Sequence, residues 1–166
     1  MSTLWTYLWP PIGAAIVVGV VAGLIAFRSR RRRNAAFAIG AVTSIALAAF
    51  WHGPLGGADR LVRDVERDVR ATIVYNEIPQ VSGHLHRGPI TRRIFLSGPA
   101  DDFQRSELVR IIGEVPGVSS ATWSSDGGGV PLIVEGAAAA LAGFLFGLVV
   151  AYLIELRRRY NAQWNW

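Results

Sequence analysis

The chain has no cysteine, which excludes a disulfide framework, a thiol nucleophile and a cysteine-rich metal site. It has no lysine either: all 17 basic residues are arginine. No positive charge precedes the first apolar run, whereas a secretory signal peptide carries its charge ahead of that run and a small-residue cleavage site behind it. Ser97, Ser106 and Ser119 have no motif that sets a base beside them. His84 and His86 share one side of an alternating run, but no acidic residue lies between or beside them, so they make a weak set of metal ligands. From these absences we expect no enzyme, no metal and no cofactor.

What the chain does have is apolar length. Apolar residues make up 51% of it and gather in three long uncharged runs, which moves 166 residues from the globular to the membrane class. The net charge of +5 belongs to the flanks of those runs. Arg28, Arg30, Arg31, Arg32 and Arg33 form one cluster and Arg157, Arg158 and Arg159 another. The other nine arginines lie among ten acidic residues between Asp59 and Asp126, so that segment is nearly neutral. A basic surface for DNA or RNA is not supported, and we expect no nucleic-acid partner.

The chain opens with Trp5, Tyr7 and Trp9, an aromatic cluster of the kind found at headgroup depth. A retained membrane helix then runs over about residues 10–27, with Pro10 and Pro11 in its first turn, where a missing N–H costs least. Residues 28–34 form a basic turn and 35–51 a second apolar run, so 1–51 reads as a helical hairpin. The Gly/Pro-rich linker His52 to Ala58 reaches at most about 25 Å, which keeps the next segment near the bilayer. A third membrane helix is expected over 130–156, followed by a tail at 157–166. The arginine clusters set the topology: the positive-inside rule places both in the cytoplasm, with the N-terminus and residues 59–125 outside.

Between the anchors, Leu61, Val62, Val65, Val69 and Ile73 mark one face of a helix that Asp59 is placed to cap. Its other face offers Asp59 with Arg63, Arg60 with Asp64 and Glu66 with Arg70 at i,i+4 spacing. Val81, Gly83 and Leu85 alternate with Ser82, His84 and His86, a half-buried strand, and Gly88-Pro89 turns it into a second strand through Ile94 and Leu96. Asp101 and Gln104 have capping-box spacing ahead of a helix with Leu108, Ile111, Ile112 and Val115 inward. Val118 to Trp123 forms the last strand and Ser124 to Gly129 the exit. The expected fold is three transmembrane helices plus a small extracytoplasmic α+β domain of order αββαβ.

That order, with Leu96-Ser97-Gly98 closing a strand and Gly117-Val118 stepping into the last one, resembles the BON domain over about two-fifths of the chain. The resemblance implies a bacterial envelope module in the periplasm, here displayed by an inner-membrane protein. It implies contact with phospholipid or protein rather than catalysis. Such modules often come in tandem; this chain has one copy, held at both ends by apolar helices.

Phe95, between Arg93 and Ser97, is expected to be exposed on the sheet face opposite Ile94 and Leu96. With Arg87, Arg92, Arg93, His84 and His86 it makes the candidate surface for phospholipid headgroups or a protein partner. Within the membrane, Gly19 and Gly23 form a GxxxG, and Ala139, Gly143 and Gly147 a row of small residues, both suited to close helix packing. They serve packing within the chain or, as an alternative function, lateral contact in a larger membrane complex in which this protein is an accessory subunit. Trp164 and Trp166 would join such contacts. Glu135 and Glu155 bracket the third helix near its two ends, which argues against an ion route, and Arg159 stands at i,i+4 from Glu155.

Overall fold

The computed structural model describes residues 3–124 and 128–163. The element order is α1 (Thr3–Arg28), α2 (Arg33–His52), α3 (Gly57–Tyr75), β1 (Ser82–Arg87), β2 (Ile90–Ser97), α4 (Asp102–Gly113), β3 (Ser120–Thr122) and α5 (Leu132–Gln163). The protein is mostly helical, with three candidate membrane-spanning helices and one small sheet. It divides into two compact units, Met1–Tyr7 with Gly56–Glu135 and Leu8–Leu55 with Gly136–Trp166.

The first unit holds the α, β, β, α, β succession. β1 and β2 are antiparallel, with Leu85 opposite Ile94 and Gly83 opposite Leu96. β3 returns parallel to β2 after α4, giving the order β1-β2-β3. α3 packs on β1, α4 on β3, and the two helices touch, so both lie on one face of the sheet. Leu61, Val62, Val65, Val69 and Ile73 of α3 are all buried, as are Leu85, Ile94 and Leu96 of the sheet and Leu108 and Ile112 of α4. The capping box forms: the Asp101 carboxylate accepts from the Gln104 N–H at 2.7 Å, and the Gln104 side chain accepts from the Asp101 N–H at 3.1 Å. On the outer side of α4, hydrogen bonds from Arg110 hold the exposed Glu107 carboxyl below its usual range.

Several boundaries differ from the sequence expectation. Gly56, at φ +69°, is the N-cap of α3, so Asp59 sits in the first turn instead of capping it, where its charge still favours the helix dipole. α1 starts at Thr3, which puts Pro10 and Pro11 inside the helix rather than in its first turn. α5 continues through the arginines to Gln163, so most of the expected tail is helix. β3 is only three residues long, and part of the exit, residues 125–127, lies outside the described residues, as do Trp164 and Trp166.

The i,i+4 pairing read for Glu66 and Arg70 gives way to a tertiary role. Glu66 Oε1 accepts from the Leu85 N–H at 3.1 Å, and Arg87 Nη2 donates to both Glu66 oxygens at 3.2 and 3.0 Å. Arg70 Nη1 donates to the carbonyls of Pro79 and Val81. Glu66 therefore satisfies backbone of β1, an edge strand that would otherwise present unpaired groups to another chain, and Arg70 satisfies carbonyls of the segment leading into it. Glu66→Ala is expected to destabilise this unit by about 1–2 kcal/mol. The check is amide hydrogen exchange over Ser82–Arg87, which should speed up there more than in α4.

The second unit contains α2 and most of α1 and α5, three helices long and apolar enough to cross a membrane. At 26, 20 and 32 residues they rise about 39, 30 and 48 Å, against a hydrocarbon core of about 30 Å. Its core is made of small side chains around one aromatic ring: Ala15, Ala22, Ala48 and Ala140 surround Phe144. Ser44, fully buried in α2, satisfies its own hydroxyl by donating to the Gly40 carbonyl at 2.9 Å.

Candidate functional site

The candidate surface is the sheet face turned away from α3 and α4. Strand alternation puts Gly83, Leu85, Ile94 and Leu96 inward, so their neighbours must point outward. Register then aligns His84, Phe95 and Thr122 in one row across the three strands. Next to this row a hollow of about 230 Å³ is lined by His84, His86, Arg93, Phe95, Thr122 and Ser124. Phe95 is half-buried rather than exposed, since the side chains beside it in the row and the wall of the hollow cover part of its ring.

Arg93 is the cation of this hollow. Its Nη1 donates to the Gly128 carbonyl at 3.3 Å, while its Nε is buried with no hydrogen-bond partner among the described residues. A buried charged donor without a partner is costly, and that makes Arg93 the residue here most in need of an acceptor. His86 Nδ1 lies 3.0 Å from the Pro89 carbonyl oxygen, which can only accept, so Nδ1 carries the proton. His84 is exposed, with Nδ1 3.7 Å from Glu66 Oε1. Among the described residues no three His, Asp or Glu side chains form a group able to hold a metal.

Two arginines grouped with this surface have other work. Arg92 Nε donates to Glu135 Oε2 at 2.7 Å, a pair in which both side chains are largely buried. Its carbonyl accepts from both the N–H and the hydroxyl of Ser119, extending the β2 to β3 ladder. Arg87 is engaged with Glu66 at the strand edge. The site thus contracts to Arg93, Phe95 and the two histidines. On the opposite side of β3, Arg105 stacks over the Trp123 ring at 5.2 Å, and its carbonyl accepts from the indole N–H.

No family model, curated protein or solved structure matches this chain.

The small residues of the second unit are used inside it. A Cβ on Gly19 would run into the Phe144 carbonyl oxygen, one on Gly23 into the Ala151 methyl, one on Gly143 into the Ile12 carbonyl, and one on Gly147 into the Ile16 carbonyl. Ala139 is only half-buried; the inward row of α5 is Gly136, Ala140, Gly143, Phe144, Gly147, Ala151 and Glu155. Sequence reading missed that Glu155 closes this row as a buried acid. Arg158 and Arg159 pair with it from its own helix, as the i,i+4 spacing suggested for Arg159, but Arg28 Nε reaches it from α1 at 3.7 Å. Arg30, Arg31, Arg32, Arg33 and Arg157 are all exposed.

Proposed function

We propose that this is a non-enzymatic bacterial inner-membrane protein that displays a periplasmic module of the BON type, and that the module's outer sheet face contacts anionic phospholipid headgroups. The observation that carries this reading is Arg93: a half-buried guanidinium whose Nε has no hydrogen-bond partner among the described residues, beside a half-buried aromatic ring in a small hollow. A phosphate oxygen is the kind of acceptor that group calls for, and an aromatic ring beside it suits headgroup depth. Support for the module itself comes from its two signature glycines. Gly98 and Gly117 have φ of +129° and +98°, conformations that require glycine at the strand end and at the entry to the last strand.

The alternative role as an accessory subunit drew on the glycine rows for lateral contacts. Those rows are filled by the chain's own helices, so the headgroup reading is the one retained. It is tested with the full chain in nanodiscs of phosphatidylcholine alone or with phosphatidylglycerol added. Amide exchange over Ser82–Ser97 should slow when the anionic lipid is present, and this effect should vanish in the Arg93→Gln, Phe95→Ala double variant while α4 keeps its protection. Equal exchange in the two lipids would reject the proposal.

A further inference from the structure

We propose that the second unit binds the phosphodiester headgroup of an anionic phospholipid at its arginine-rich end, in a site separate from the sheet face. The inference rests on the reading of the three apolar helices as membrane spans. A hollow of about 480 Å³ opens there between α1, the turn after it, the start of α2, and α5. Arg28, Arg30, Arg33 and Arg159 line it, with Glu155 as its one acid.

The side chains divide into an organised pair and an unengaged pair. Glu155, itself buried, accepts from Arg159 Nε at 3.2 Å and lies 3.7 Å from Arg28 Nε, so it holds one arginine from each helix at the wall. Arg159 Nη2 is further fixed by donating to the Phe27 carbonyl at 3.3 Å. Arg30 and Arg33 make no hydrogen bond or ion pair among the described residues, so their forked donors face the hollow unanswered. Four guanidinium groups against one carboxylate leave a strong local excess of positive charge. That excess favours an anion, and guanidinium geometry favours phosphate oxygens.

The rest of the wall decides for a lipid over free phosphate. Phe27 and Tyr152 meet edge to face at 5.7 Å, and Leu156 adjoins them, giving the hollow an apolar side. Tyr152 and Leu156 are both exposed, so this side of the hollow is open apolar surface. An acyl chain lying along that surface would place its phosphate among the arginines, as basic pockets between membrane helices do for anionic headgroups.

The test uses the full chain purified in an uncharged maltoside detergent and titrated with phosphatidylglycerol, phosphatidylcholine or inorganic phosphate, with bound species counted by native mass spectrometry. Phosphatidylglycerol should be retained and the other two should not. Arg30→Gln with Arg33→Gln should weaken its binding by roughly twenty-five-fold, at about fivefold for each arginine removed. Arg31→Gln with Arg157→Gln removes the same charge outside the hollow and should leave binding nearly unchanged. Equal retention of the two lipids, an equal loss in the two double variants, or retention of inorganic phosphate in place of lipid would each overturn the proposal. Carbonate washing of cell membranes separates this from the underlying reading: a chain released to the supernatant sinks both, whereas a chain that stays in the pellet without lipid preference sinks the headgroup site alone.

Discussion

Gly147→Leu is expected to break the packing of α1 against α5. The two helices meet backbone to backbone: a side chain at Gly147 would strike the Ile16 carbonyl oxygen and come within 2.9 Å of both the Gly19 Cα and the Val20 nitrogen. None of those atoms is the end of a flexible side chain, so the helices themselves would have to separate. In a bilayer no hydrophobic force pulls them back together, because lipid tails are as apolar as the side chains; close van der Waals packing is what holds them. Overpacking a tight interior costs about 1–3 kcal/mol when side chains can give way, and more is expected here because only backbone is available to move. Thermal unfolding in maltoside, followed by the loss of helical circular dichroism, should show a lowered midpoint. Gly13→Leu is the matched control. Gly13 lies in α1, the other helix of the pair, with nothing within 4 Å of an added Cβ, so its midpoint should move little. Equal midpoints for the two variants would show that the glycine contact does not hold the helices together.

Much of this fold could be read from residue order because its signals are local. The stripe of α3 needs only a 3.6-residue period, the capping box only a three-residue spacing, and the outward row of β1 only alternation. Each survives in the structure with its named residues. What escaped reading was set by partners distant in sequence. Glu66 and Arg70 have ideal spacing for each other, yet the strand edge beside α3 offers backbone groups that would otherwise go unsatisfied, and both side chains turn there. Arg92 looked available because its partner Glu135 belongs to the start of an apolar helix, 43 residues away. The basic hollow followed the same logic: the i,i+4 link from Glu155 to Arg159 was visible, but the approach of Arg28 from another helix was not. Pro10 and Pro11 misled differently. Proline most often opens a helix; inside one it removes its own donor and its ring crowds the carbonyl four residues earlier, yet α1 runs on through both.

Gly98→Ala should be the most damaging small change in the α/β unit. Gly98 ends the strand that carries Phe95 and Arg93, and its φ of +129° lies where an L side chain is strained. A methyl group there would also approach the Gln80 carbonyl oxygen to 2.6 Å and the Val81 Cα to 3.0 Å, so strain and collision add. We expect a loss of about 3 kcal/mol, a large fraction of the stability of so small a unit. The unit is small enough that burial leaves little reserve. Gly113→Ala provides the opposite case on the same fold. Gly113 ends α4 with open space around it, so alanine there should stabilise the helix by up to about 1 kcal/mol. Amide exchange over Ile90–Ser97 in the full chain measures both: faster in Gly98→Ala, unchanged or slower in Gly113→Ala. Since the outer face exists only while β2 is paired on both sides, Gly98→Ala should also abolish the phosphatidylglycerol protection of that face, with Arg93 and Phe95 themselves untouched. Protection that persisted in a locally unfolded β2 would mean that the headgroup contact lies elsewhere on the chain.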